Sequence, residues 1–185
     1  MSTTATGADL SLLELTPDRV DGLAEFFRQL PEGDLTFVKE PLTDHEVVAR
    51  WADSEESESA ARRWVACDGE DVVGYVAVLP LTGWSSHVGE LRLVVAPSAR
   101  GQGVGASLAE HALRQAVEMG LTKLVVEVVA VQEGSIAMFN ALGFRAEALL
   151  TDHIRDGRGE LRDLVVLAHD VHAAASALET VGVDD

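Results

Sequence analysis

Between Val94 and Gly105 the chain reads VVAPSARGQGVG, an apolar run followed by a cationic side chain and three closely spaced glycines. The apolar run stops at Pro97 and a helical pattern opens near Val104, so Arg100, Gly101, Gln102 and Gly103 fall in a strand-to-helix turn. Glycine lets a backbone approach a ligand closely and adopt conformations that a Cβ forbids. The first amides of a helix lack intrahelical partners and lie at the positive end of its dipole, which makes them an anion site. Arg100 adds a fixed positive charge beside them, and the whole reads as a pyrophosphate cradle. A second candidate precedes it. Glu90 stands ten residues before Arg100 on the same apolar run, and alternation puts it on one face with Arg92 and Val94. A carboxylate in an otherwise apolar sheet is expected to have a raised pKa, as a general base requires. The competing reading is a structural pair with Arg92.

The spacing disagrees with two common nucleotide motifs. Gly101-Gln102-Gly103-Val104-Gly105 is not G-x-G-x-x-G, and no Gly-Lys-Ser/Thr completes a P-loop. Read as Arg-x-x-Gly-x-Gly, residues 100–105 resemble the acetyl-CoA signature of the GNAT superfamily of N-acetyltransferases. A second element strengthens the likeness: Ser135-Ile136-Ala137-Met138-Phe139-Asn140-Ala141-Leu142-Gly143-Phe144 resembles the helix and Gly-Phe turn that close the cofactor site in that family. The resemblance covers Arg62 to Ala168, and the first sixty residues match only in element order.

The resemblance implies a function and roles. It implies acyl transfer from acetyl-CoA to a primary amine by direct attack, the acceptor being a small molecule or a peptide, and no metal. Arg100, Gly101, Gln102, Gly103, Val104 and Gly105 would hold the pyrophosphate, and Val94 and Val95 would pair with the pantetheine arm through main-chain groups. Ser135 and Asn140 are candidates for hydrogen bonds to the cofactor, with a helix cap or a plain surface position as the other reading. Arg145 is a weaker candidate for the 3′-phosphate. Some branches of the family use a glutamate at the register of Glu90 as the base, with His87 and His153 as reserves here because imidazole titrates near neutrality. Glu127 resembles a frequent family residue of structural role. One departure stands out: where many members carry a tyrosine that protonates the leaving thiolate, this chain has Phe139, and Gln132 replaces an asparagine at the start of the same helix. Phe139 motivates the alternative of a non-catalytic coenzyme A-binding sensor; a partner-interaction domain with a vestigial cradle is a third reading.

Composition bounds these readings. At 185 residues, 47% of them hydrophobic and 24% charged, the chain suits one soluble domain with a core. We expect a lead over residues 1–9 without fixed structure, a domain over 10–170, and a C-terminal helix or tail over 171–185. No apolar run reaches the roughly 20 residues of a membrane span, and residues 1–9 lack the pattern of a secretory signal. The net charge of −17 argues against unspecific nucleic-acid binding; it reads first as solubility, with acids such as Glu55, Glu56 and Glu58 in one solvated loop, and second as steering of a cationic substrate. Cys67 is the single cysteine, lies in an apolar run and reads as core, which suits a reducing cytoplasm. His169 and His172 lack a third metal ligand. A homodimer is left open.

The elements that must position these residues follow from periodicity. Leu10–Leu15 reads as a strand, and Thr16-Pro17 as the capped start of a helix with Val20, Leu23, Ala24, Phe26, Phe27 and Leu30 on its apolar face. Thr43-Asp44-His45-Glu46 resembles a capping box for a second helix through Trp51, and 53–59 reads as a polar loop. Arg62–Cys67 and Val72–Leu79 form a hairpin about Asp68-Gly69-Glu70-Asp71. Val88–Val95 enters the cradle. The helix from Val104 to Met119 turns Val104, Leu108, Ala112, Ala116 and Val117 to one face, with Gly120 beyond its end. Leu124–Val131 reads as a strand buried on both faces, Gly134–Leu142 as a short helix, and Phe144–Ile154 with Leu161–Ala168 as a final hairpin. This order, β-α-α-β-β-β-α-β-α-β-β, matches a single-domain α/β GNAT fold, which implies a mixed sheet split at the cradle strand with helices on both faces.

Overall fold

The computed structural model of the protein describes residues 10–31, 34, 44–52 and 60–171. The elements are β1 (Leu10–Glu14), α1 (Val20–Gln29), α2 (His45–Ala52), β2 (Arg62–Asp68), β3 (Asp71–Pro80), β4 (Val88–Val95), α3 (Val104–Glu118), β5 (Lys123–Val129), α4 (Glu133–Ala141), β6 (Arg145–Arg155) and β7 (Leu161–Asp170). The seven strands form one sheet in the order β1-β2-β3-β4-β5-β7-β6. Every neighbouring pair is antiparallel except β4 and β5, which run parallel around the α3 crossover.

That parallel pair is short, and its shortness makes the site. It holds from Val88–Lys123 to Leu91–Val126 and no further. β4 stays zipped to β3 as far as the Gly74–Val95 pair, and β5 stays zipped to β7 as far as Val129–Leu164. The sheet is therefore split after Leu91, as the strand order implied.

Strand alternation sends side chains to two cores. On one face Leu91, Val76, Val78, Leu124 and Val126 meet the Val104–Leu108–Ala112–Ala116 stripe of α3, together with Phe139 and Phe144. On the other, Val65, Cys67, Tyr75 and Ala77 meet Leu23, Phe26 and Phe27 of α1 and Val48 of α2. Full burial of a side chain such as Leu108 or Phe27 is worth about 1.5–3 kcal/mol, which is what fixes these helices on the sheet. Gly74 lets α3 lie close, since a Cβ there would come within 2.8 Å of Leu108 Cδ1.

Several local expectations need correction. Thr16 heads a 3-10 turn (Pro17–Arg19) and makes no capping bond to a backbone amide; its hydroxyl accepts from the Arg19 guanidinium, and the α-helix begins only at Val20. At α2 the Glu46 amide donates to Asp44 Oδ1 at 3.0 Å, while Thr43 lies outside the described residues. Val117 is 45% exposed, because it sits about 100° round the helix from Ala116. β5 is buried throughout on its α3 face, through Leu124, Val126 and Val128, but on the other face only at Val129; Glu127, just past the last pairing with β4 at Val126, is exposed. The expected loop at 53–59, the lead at 1–9 and the tail beyond Val171 lie outside the described residues.

Candidate functional site

The split opens into a cleft of about 1070 Å³. β4 supplies Glu90, Arg92, Val94 and Val95; β5 supplies Val126 to Val129; the turn before α3 supplies Arg100, Gly101, Gly103 and Gly105; α4 supplies Ser135, Met138 and Phe139. His153, Ile154 and Leu164 of the last hairpin also line it, as does Asp34.

Pro97–Ala99 makes a 3-10 turn, and Gly101 and Gly103 follow at φ of 71° and 84°, left-handed values that burden any side chain. A Cβ built on either would meet no atom within 4 Å, so both face open space. Ser107 donates to the Gly103 carbonyl at 3.0 Å, so the amides of Val104, Gly105 and Ala106 precede the first intrahelical bond and carry the positive end of the dipole. Gly105 has a different duty: a Cβ there would come within 3.0 Å of Met138 Sδ, so its absence lets α4 pack against the start of α3. These residues fit a diphosphate-linked ligand.

Side chains of the cradle turn away from the amides. Arg100 donates through Nε to the Val95 carbonyl (3.1 Å) and through Nη2 to Asp34 Oδ2 (2.6 Å). Gln102 folds back onto the Ser98 carbonyl at 2.8 Å, and Val104 is buried in the core. Sequence reasoning missed Asp34, which is 66 residues from Arg100 and signalled by nothing local.

Glu90 and Arg92 face the cleft together. Arg92 Nε donates to Glu90 Oε1 at 3.0 Å, and the two side chains keep only 16% and 21% exposure. The setting of Glu90 is thus an ion pair rather than the apolar surround expected from the strand sequence. Glu127 joins them from β5.

The other candidates separate. His153 lines the cleft, whereas His87 lies in a depression with Lys123, Arg145 and His169 at the far ends of β4 and β5. Ser135 is in the cleft. Asn140 is on the surface outside its lining, and its carbonyl accepts from Arg145 Nη1 at 3.2 Å. Arg145 also donates to the Phe144 carbonyl at 2.9 Å, so it closes the end of α4 rather than reaching a phosphate in the cleft. Gln132 borders the cleft at the head of α4 and makes no side-chain cap. Phe139 is 3% exposed and packs edge-on against Phe144 at 5.1 Å. Burial pushes the Cys67 thiol upward, with nearby Arg19 opposing; the residue lies in the α1 core, apart from the cleft. No helix among the described residues is long and apolar enough to cross a membrane.

The sequence model of the Acetyltransferase (GNAT) family matches residues 24–144. Rat N-acetyltransferase 8F1 is 36% identical over 85 residues, 44% of this chain and 38% of that protein; the chain spans less than half the length of the curated relatives it matches. The crystal structure of a ribosomal-protein-alanine N-acetyltransferase from Brucella melitensis superposes with a TM-score of 0.76 at 25% identity, covering 86% of this chain and 99% of that one. A putative acetyltransferase from Salmonella typhimurium, solved with its cofactor acetyl-CoA, has the same fold at a TM-score of 0.75 and 15% identity, over 88% and 94% of the chains. With the matched segment running from α1 through the cradle to the Gly143-Phe144 turn, the chain belongs to the GNAT acetyltransferase family.

Proposed function

We propose that the protein transfers an acetyl group from acetyl-CoA to a primary amine of a small molecule or peptide. The observation that carries this reading is the parting of β4 from β5 after Leu91, which gathers the 100–105 turn, the released edge of β4 and Glu90 into one cleft. The amides at the head of α3, with Arg100, would hold the pyrophosphate. Val94 and Val95 would pair with the pantetheine arm as an added strand does, and Ser135 would meet it from α4. The bound thioester supplies an electrophilic carbonyl carbon.

The chain's own residues then manage a proton. An amine arrives protonated near neutral pH and must lose a proton to attack. Glu90 accepts it, directly or through water, while the Arg92 guanidinium fixes the orientation of the carboxylate. The nitrogen–carbon bond forms and the carbon–sulfur bond breaks. Phe139 has no proton to give, so the departing thiolate takes one from water. The net charge of −17 steers a cationic acceptor toward the protein. The name of the Brucella protein, which specifies a ribosomal-protein alanine, keeps peptides among the acceptors. The single buried cysteine suits a reducing compartment such as the cytoplasm.

The test is a panel of amino acids, polyamines, aminoglycosides and peptides assayed for release of free coenzyme A. Glu90→Gln keeps the shape and removes the base, so turnover should fall by roughly two orders of magnitude, as general-base removal does. The loss should shrink at high pH, where the amine arrives neutral. Turnover untouched by Glu90→Gln at neutral pH would retire Glu90 as base. Firm acetyl-CoA binding with no turnover of any amine would favour the sensor reading that Phe139 motivates.

A further inference from the structure

We propose that a bulge in β6 holds the exposed His153 imidazole in the lining of the cleft to bind the incoming amine, and that Asp163 is the positioning residue that maintains it. This deepens the acetyl-transfer reading and rests on it. β6 and β7 pair regularly from Arg145–Ala168 to Leu150–Leu164 apart from a slip at Ala146–Ala148, lose register, and resume at Ile154–Arg162. Thr151, Asp152 and His153 therefore face Asp163 alone. Such bulges bend a strand and re-aim its side chains.

The bulge is held in an unfavourable conformation. Asp152 has φ of 52°, the one positive φ at a non-glycine among the described residues. A left-handed side chain persists only where its surroundings over-determine it, and such positions cluster at ligand sites. The clasp here is Asp163, whose Oδ1 accepts the Asp152 amide at 2.9 Å. Asp163 is itself anchored, because its carbonyl accepts the Ala130 amide at 2.9 Å at the end of β5. Beyond the bulge, Asp156 fastens the hairpin through the amides of Arg158 and Glu160 (2.9 Å each) and Arg162 Nε (3.0 Å). His153 is thus set between two fixed points, on an edge strand where a bulge disrupts only one ladder. It lines the same cleft as Glu90 and Glu127.

A neutral imidazole nitrogen accepts a hydrogen bond, as do the two carboxylates. A protonated primary amine offers three donors, which the acceptors on this lining match in chemistry. His153 binds; the proton taken before attack goes to Glu90.

The experiment is steady-state kinetics at saturating acetyl-CoA with the best-turned-over amine of the panel. His153→Ala should raise the amine KM about tenfold, the effect of losing one hydrogen bond to a charged group, with kcat within twofold and acetyl-CoA affinity unchanged by calorimetry. Asp163→Ala should do the same, and the double variant should be no worse than either, since both remove one interaction. Asp163→Asn keeps an acceptor oxygen and should restore the KM. Multiplying losses in the double variant, or an unchanged KM in His153→Ala, overturns the proposal. A second measurement serves if Asp163→Ala does not fold. In 15N-labelled protein saturated with coenzyme A, the same amine should shift the His153 ring resonances, identified by their loss in His153→Gln. Amine binding that leaves them unmoved overturns the role of His153 while acetyl transfer stands. Firm coenzyme A binding with neither amine turnover nor amine binding removes both.

Discussion

At the scale of single residues, the cradle and the ring at position 139 make opposite demands. Gly103 works by having nothing on its Cα: φ of 84° and open space above it leave the backbone facing the cleft. Gly103→Glu adds strain, bulk and a negative charge where a pyrophosphate would lie, so calorimetry should show acetyl-CoA binding abolished. Undetectable binding by the unmodified protein at millimolar acetyl-CoA would remove the functional reading altogether. Phe139 works by filling space, packed on Phe144 and bordering the cleft. Phe139→Tyr supplies the missing hydroxyl with little change of volume. It should leave cofactor binding unaltered and turnover preserved or modestly raised; a large drop with the fold intact would show that the ring shapes the acceptor pocket instead. Arg100, by contrast, was legible as a charge but not as a partner. Its clasp on Asp34 joins positions 66 residues apart, a tertiary contact that no local pattern encodes.

At the scale of elements, alternation and helical period located the strands and helices because each buries one face against a core. β4 came out at Val88–Val95 as read, since an apolar run bounded by a loop and a proline has few other options. β5 departs from double burial at Glu127, which borders the open cleft, while Val128 and Val129 beyond it are buried. The junction of β4 with α3 and β5 carries a specific packing demand at Gly89. A Cβ there would come within 2.7 Å of Leu121 Cδ1 and 2.9 Å of Leu124 Cδ2. Gly89→Ala should therefore destabilise the protein by about 1–3 kcal/mol, typical of overpacking, measured as a lower urea midpoint with unchanged slope. Because Gly89 precedes Glu90, part of the damage should appear as lost turnover even where the protein remains folded.

At the scale of the whole molecule, two histidines outside the cleft tie stability to pH. Burial lowers the pKa of His111, helped by Arg114 and opposed by Glu118, while its ring meets Trp64 edge-on at 5.0 Å. Burial likewise lowers that of His169, against Phe144, with Asp170 opposing. A histidine harder to protonate when folded gives its full stabilisation above the ordinary imidazole value of 6.5. Stability then falls as pH drops below that value, because the unfolded chain takes the proton first. Thermal unfolding followed between about pH 7.5 and 5.5 should show a falling midpoint, and His111→Phe should flatten the slope. A further acid limb lies below the ordinary aspartate value of 3.8. There Asp156, despite opposing desolvation, is held low by the amides of Glu160 and Arg158 and by the Arg162 guanidinium.

What the sequence determined by itself was whatever depends on near neighbours: the glycine turn with its charge, the order and periods of the elements, the helix and Gly-Phe turn that follow. Those features are written within ten or fifteen residues because backbone conformation and helix termini are local properties. Only the tertiary structure decided which side chains meet. It set Glu90 in an ion pair, drew Asp34 to Arg100, sent Asn140 and His87 away from the cleft and brought His153 into it. The last of these turns on a register slip of three residues against one, which leaves no periodic trace in the sequence. Strand pairing joins residues far apart in the chain, and a side chain's partners follow from register and sheet order, quantities that only the packed molecule fixes.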